Sequence, residues 1–79
     1  MMPTVARIGS YRLFFFSGEG NEPLHVHVES DDAYAKFWLC PIALAASVGY
    51  TAHELSSLRK LVEEHRQTIE DKWNEHFSR

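Results

Sequence analysis

Residues Leu24 to Glu29 read Leu-His-Val-His-Val-Glu, apolar and polar in strict alternation. Side chains leave a β-strand on opposite faces in turn, so this period puts Leu24, Val26 and Val28 on one side and His25, His27 and Glu29 on the other. The usual polar filling of a half-buried strand is Thr, Ser, Lys or Glu. Two imidazoles instead bring groups that exchange protons near neutrality, hold a phosphate or bind a metal. The plain alternative is a solvated strand face that happens to carry two histidines.

The flanking segments read as further strands. Thr4 to Ile8 alternates, Gly9-Ser10 is a type II′ hairpin signal, and Tyr11 to Phe16 is predicted to return antiparallel. That turn pairs Ile8 with Tyr11, Arg7 with Arg12, Ala6 with Leu13 and Val5 with Phe14. Like charges facing one another weaken a sheet, so Arg7 and Arg12 call for an anion or for a nearby carboxylate such as Glu29. Ser17 to Pro23 is glycine-rich and closed by proline, a loop that serves as a connector or a lid. A turn at Asp31-Asp32 leads into Ala33 to Leu39 and sets His27 across from Lys36, His25 across from Trp38 and Glu29 across from Tyr34.

Beyond Pro41 the alternation stops. The alanine-rich run Pro41 to Val48 suggests a short helix ended by Gly49, or one turn of irregular structure. Thr51-Ala52-His53-Glu54 is a capping box. From Leu55 through Leu58, Leu61, Val62, His65, Ile69, Trp73, His76 and Phe77 the bulky positions fall on one stripe. One helix of seven turns, about 40 Å long, is expected there, with His65 a hydrogen-bonded core residue.

The fold expected is therefore α+β: a small antiparallel sheet of two hairpins (3–40), a connector (41–50) and one long C-terminal helix (51–77) on one face, in a single domain of 79 residues. Ala6, Leu13, Phe15, Leu24, Val26, Val28, Ala35, Phe37 and Leu39 would face the helix. Arg7, Arg12, Phe14, Phe16, His25, His27, Glu29, Lys36 and Trp38 would share an open, solvent-facing surface. A core this small is marginal, which favours burial by a partner chain or a homodimer. One cysteine, Cys40, allows no internal disulfide and fits a reducing cytoplasm. No secretory signal or membrane-spanning run is visible, and a net charge of −3 excludes global attraction to nucleic acid.

A local basic and aromatic face is nevertheless the composition that holds single-stranded RNA, with Arg7, Arg12 and Lys36 on phosphates and Trp38 stacking on bases. Two histidines on it make cleavage chemically accessible: one imidazole takes the proton of a ribose 2′-hydroxyl and the other protonates the leaving oxygen. His25 and His27 are then the catalytic pair of a metal-independent endoribonuclease that needs no cofactor. The second reading is a metal site made of His25, His27 and Glu29, which a cationic neighbourhood disfavours. The third is a non-enzymatic interface for a partner protein.

The runs Met2-Pro3-Thr4-Val5-Ala6-Arg7-Ile8-Gly9-Ser10-Tyr11-Arg12-Leu13-Phe14-Phe15-Phe16, Pro23 to Glu29, and Ala35-Lys36-Phe37-Trp38-Leu39 together resemble a bacterial family catalogued as domain of unknown function 4160. In that family the proline before the histidines is usually doubled and an aspartate often follows the Trp-Leu pair. Here those positions are Leu24 and Cys40. Members look like partners of a second small protein in two-gene arrangements resembling toxin–antitoxin operons. The resemblance implies a cytoplasmic protein with an antitoxin-like partner, and its motif covers Arg7, Tyr11, Arg12, His25, His27, Lys36 and Trp38. The combined expectation is an RNA-directed toxin whose contacts to RNA include Tyr11.

Overall fold

The alternating segment forms the central strand of a five-stranded antiparallel sheet. In the computed structural model, which describes residues 4–77, the strands are β1 (Thr4–Ile8), β2 (Tyr11–Phe14), β3 (His25–Ser30), β4 (Ala33–Leu39) and β5 (Ile42–Val48), paired in the order β1-β2-β3-β4-β5. Two helices, α1 (Ala52–Glu64) and α2 (Arg66–Phe77), follow. The chain is thus α+β, as expected, but with five strands and two helices in place of two hairpins and one helix.

The pairing within each predicted hairpin matches the turn chemistry. Ile8 faces Tyr11, Arg7 faces Arg12 and Ala6 faces Leu13 around Gly9, whose φ of 60° suits glycine. The next pair is Thr4 with Phe14 where Val5 was expected, because a bulge shifts the register between Thr4 and Ala6. The extra residue this inserts lets Val5 join the core. Across the second hairpin His25 faces Trp38, His27 faces Lys36 and Glu29 faces Tyr34. Between the hairpins, β2 lies beside β3, with Arg12 opposite Glu29 and Phe14 opposite His27.

Two expectations are corrected. Pro41 to Val48 is neither helix nor irregular turn: the chain reverses at Cys40-Pro41 and residues 42–48 pair with β4 as a strand. Alanine is a poor strand former, but cross-strand pairing overrides propensity. The expected single helix is interrupted at His65, which caps α1 with φ −106° and ψ 13° and whose Nδ1 lies 2.9 Å from the Leu61 carbonyl oxygen. A straight rod of about 40 Å would overrun a molecule whose longest extent is 35 Å. With the break, α1 packs on β4 and β5 while α2 reaches β1. The capping box forms as read, Thr51 accepting from the Glu54 N–H at 3.1 Å and Glu54 from the Thr51 N–H at 2.8 Å. No helix among the described residues is long and apolar enough to cross a membrane.

Between the layers, Leu13, Phe15, Val26, Val28, Ala35, Phe37 and Leu39 of the sheet side meet Leu58, Val62, Ile69 and Trp73 of the helices. Gly49 joins β5 to α1 with φ 88°, and a Cβ there would stand 3.2 Å from both Cα and Cβ of Ala33. Gly49→Ala combines a disfavoured dihedral with that crowding. It should cost about 1–2 kcal/mol in urea unfolding, and an unchanged midpoint would show that the junction relaxes freely.

Candidate functional site

The face of β3 that carries the histidines is not open, and the helical layer reaches it. The strand alternation turns both imidazoles to that side, but His25 is 0% exposed and His27 only 3%. This corrects the expectation of a solvent-facing pair. Two things cover them. The loop of residues 17–23 folds back over β3, and Trp73 of α2 brings its ring within 5.0 Å of the His25 ring, edge to face. Phe14, Phe16 and Tyr34 pack around His27 with centroid distances of 5.2, 4.9 and 5.7 Å.

The loop's short hydrogen bonds explain why it folds there. Glu19 N–H donates to the Phe16 carbonyl at 3.1 Å, Glu22 N–H to the Glu19 carbonyl at 3.0 Å, and Phe16 N–H to Glu19 Oε1 at 2.8 Å. This compact turn carries the Glu19 carboxylate onto the imidazoles. Its Oε1 lies 2.9 Å from Nε2 of both His25 and His27, and Oε2 lies 3.0 Å from His27 Nε2. The other ring nitrogens are also engaged. His25 Nδ1 donates to the Pro23 carbonyl at 2.8 Å, and His27 Nδ1 pairs with the Tyr34 hydroxyl at 2.7 Å. One atom is left over: His25 Nε2 is close to Glu19 but off the line of a hydrogen bond, and it is buried without a hydrogen-bond partner.

Electrostatics follow from this packing. Burial alone would raise the Glu19 carboxyl, yet the Phe16 N–H, together with the His27 imidazole, outweighs it and holds the group below the ordinary 4.5. Burial pushes His27 below the ordinary 6.5 against the opposing pull of Glu19, and His25 and Lys36 push the same way. Burial raises the Tyr34 phenol, so it keeps its proton.

The remaining predicted residues fall into two other groups. Lys36 donates to Glu22 Oε1 at 2.9 Å and sits 4.6 Å from the ring centroid of half-buried Trp38. Arg12 donates to Glu29 Oε1 at 2.9 Å and to Thr4 Oγ1 at 2.9 Å, and lies 4.6 Å from the Phe14 ring centroid. Arg7, Arg12 and Glu29 line one polar cavity of about 350 Å³ with Ser10, Ser30 and Asp31. The carboxylate facing the arginine pair is therefore Glu29, which leaves the histidines to Glu19. Tyr11 is half-buried, its ring 6.4 Å from that of Tyr50. Strand alternation missed Glu19 because it lies outside every strand. The available signal was a carboxylate in a seven-residue loop directly before two alternate histidines.

The family model described as Domain of unknown function (DUF4160) matches residues 10–74, and the chain belongs to that family. Neither the curated proteins nor the solved structures gave a match.

The two depressed groups at this centre, His27 and Glu19, make the fold acid-sensitive. A histidine depressed on folding adds stability that is present above its unfolded value and is lost as pH falls below about 6.5; a depressed carboxyl does the same below about 4.5. The thermal midpoint should drop between roughly pH 7.5 and pH 5.5, and His27→Gln should flatten that window. An equal drop in the variant would assign the acid sensitivity to other groups.

Proposed function

We propose that this chain is the non-enzymatic, protein-binding member of a two-protein module resembling toxin–antitoxin pairs, and that its small partner adds a strand to the outer edge of β5. The observation that carries this reading is the edge itself. Ile42–Val48 is seven residues with neither charge nor proline, and Leu44 and Val48 are 45% and 67% exposed on its two faces. Sheet edges are ordinarily guarded by charge, shortness or a bulge; β5 has a bulge at Ala45, between Leu44 opposite Phe37 and Ala46 opposite Lys36, but neither charge nor shortness, and an apolar edge of this length is a template for strand addition. The opposite edge, β1, also carries a bulge but adds shortness and charge: five residues, with Arg7 among them.

The ribonuclease reading fits the geometry less well. An acid–base pair must reach a ribose hydroxyl and a leaving oxygen directly or through one water, whereas both Nε2 atoms lie against Glu19 inside the fold. Of the three cations proposed for phosphate, Arg12 and Lys36 are paired with Glu29 and Glu22, while Arg7 is exposed on the edge strand β1. Family likeness supports the two-protein setting, and the marginal size of the core supports a partner that buries more apolar surface.

Produced with a small protein encoded by a neighbouring gene, as the proposed module requires, the chain should elute as a complex. Val48→Lys should weaken that complex at least about tenfold, about 1.4 kcal/mol, with an unchanged thermal midpoint for the chain alone. Undiminished affinity would overturn the assignment of β5. A homodimer through β5 that persists when the partner is present would replace the partner with a second copy.

A further inference from the structure

We infer that Glu19, His25 and His27 form a binding site for one first-row divalent cation of the zinc type, a role independent of the β5 edge. Three donor atoms, one from each side chain, lie within 4.8 Å of one another, two of them on buried imidazoles. Tetrahedral zinc with bonds of about 2.0–2.1 Å needs donors roughly 3.3–3.5 Å apart, so side-chain adjustments alone close the site.

Hydrogen bonding supplies the second, independent argument. Because His25 Nδ1 donates its hydrogen to the Pro23 carbonyl, the neutral ring presents Nε2 as a lone pair. That lone pair is buried, has no hydrogen-bond partner, and stands 2.9 Å from a carboxylate oxygen that is itself an acceptor. Two acceptors facing one another out of water repel, and a cation between them turns the repulsion into two bonds. Glu19 Oε1 is already crowded: the Phe16 N–H, His25 Nε2 and His27 Nε2 all lie within 2.9 Å of it.

The outer contacts are those that metal-binding imidazoles use. A ligating histidine gives its far N–H to a carbonyl, carboxylate or water, which fixes its tautomer and orientation. Pro23 O does this for His25, and the Tyr34 hydroxyl lies 2.7 Å from Nδ1 of His27 to do the same. The Phe16 N–H orients the carboxylate. The objection that arginines and a lysine would repel a dication is met by pairing for the two cations on the strands beside β3, Lys36 with Glu22 and Arg12 with Glu29, each at 2.9 Å, while Arg7 stands one strand further away on β1. Two nitrogens and one oxygen select zinc, cobalt, nickel or copper over calcium or magnesium, which take mostly oxygen donors. The ligand spacing, Glu-x5-His-x-His, lies within nine residues. Metal would therefore fasten the 17–23 loop to β3.

The full chain, stripped with chelator and titrated calorimetrically with Zn²⁺, should bind one ion. His25→Ala and Glu19→Gln should each weaken binding by at least about 100-fold, and Tyr34→Phe by about tenfold as loss of an outer contact. Glu63→Gln, at an exposed position of α1, should leave it unchanged. X-ray absorption of the zinc-loaded wild-type chain should show two imidazole ligands, a reading that does not depend on whether the variants fold. Failure of the folded chain to bind zinc, a spectrum with fewer than two imidazoles, or full binding by folded Glu19→Gln would overturn the site.

Discussion

Two imidazoles on alternate positions of one strand can leave water only if their nitrogens find partners. A buried donor or acceptor left unmade costs about 1–3 kcal/mol, a large fraction of what so small a domain has to spare. In this fold the demand is met by a loop doubling back. Pro23, at the loop's end, takes one nitrogen; Glu19, at its turn, stands over two; Tyr34 of the neighbouring strand takes another. The path of residues 17–23, the closeness of Tyr34 and the stacking of Phe14 all follow from keeping His25 and His27 inside. Only His25 Nε2 escapes the arrangement.

Much of the sheet could be read from the sequence because its information is local. Strict alternation from Leu24 to Glu29, a glycine turn at Gly9 and a turn at Asp31-Asp32 fix register pair by pair, and the cross-strand neighbours of His25, His27 and Glu29 emerge from counting. What escaped depends on tertiary context. The run Ile42–Val48 has a helical composition, and only the vacant edge of β4 makes it a strand. The stripe from Leu55 to Phe77 continues smoothly through His65, and nothing in its period reports that a straight rod would outgrow the sheet beneath it.

The site was legible in half. Alternation put both histidines on one side of β3, but alternation says nothing about what covers a side, and the cover here is a loop together with Trp73 of the helical layer. For the same reason Glu29 was chosen as the neighbouring carboxylate on strand spacing, while Arg12 on the adjacent strand claims it. The charged residues sort into compensated pairs, Arg12 with Glu29 and Lys36 with Glu22. Both pairs are part-buried, the cation more so than its carboxylate. Their effect is to cancel a field that, summed from the cations alone, would have favoured phosphate.

The order β1-β2-β3-β4-β5 means that each strand hydrogen-bonds only to its neighbours in the chain. Closing each hairpin therefore spans a short stretch of backbone, and the entropic toll of bringing distant segments together is deferred to one event, the docking of α2 on β1. Assembly of the ladder can proceed hairpin by hairpin from either end. The elements farthest apart in the chain, β1 and α2, meet last, and the clasp between them is the contact that closes the longest loop of backbone.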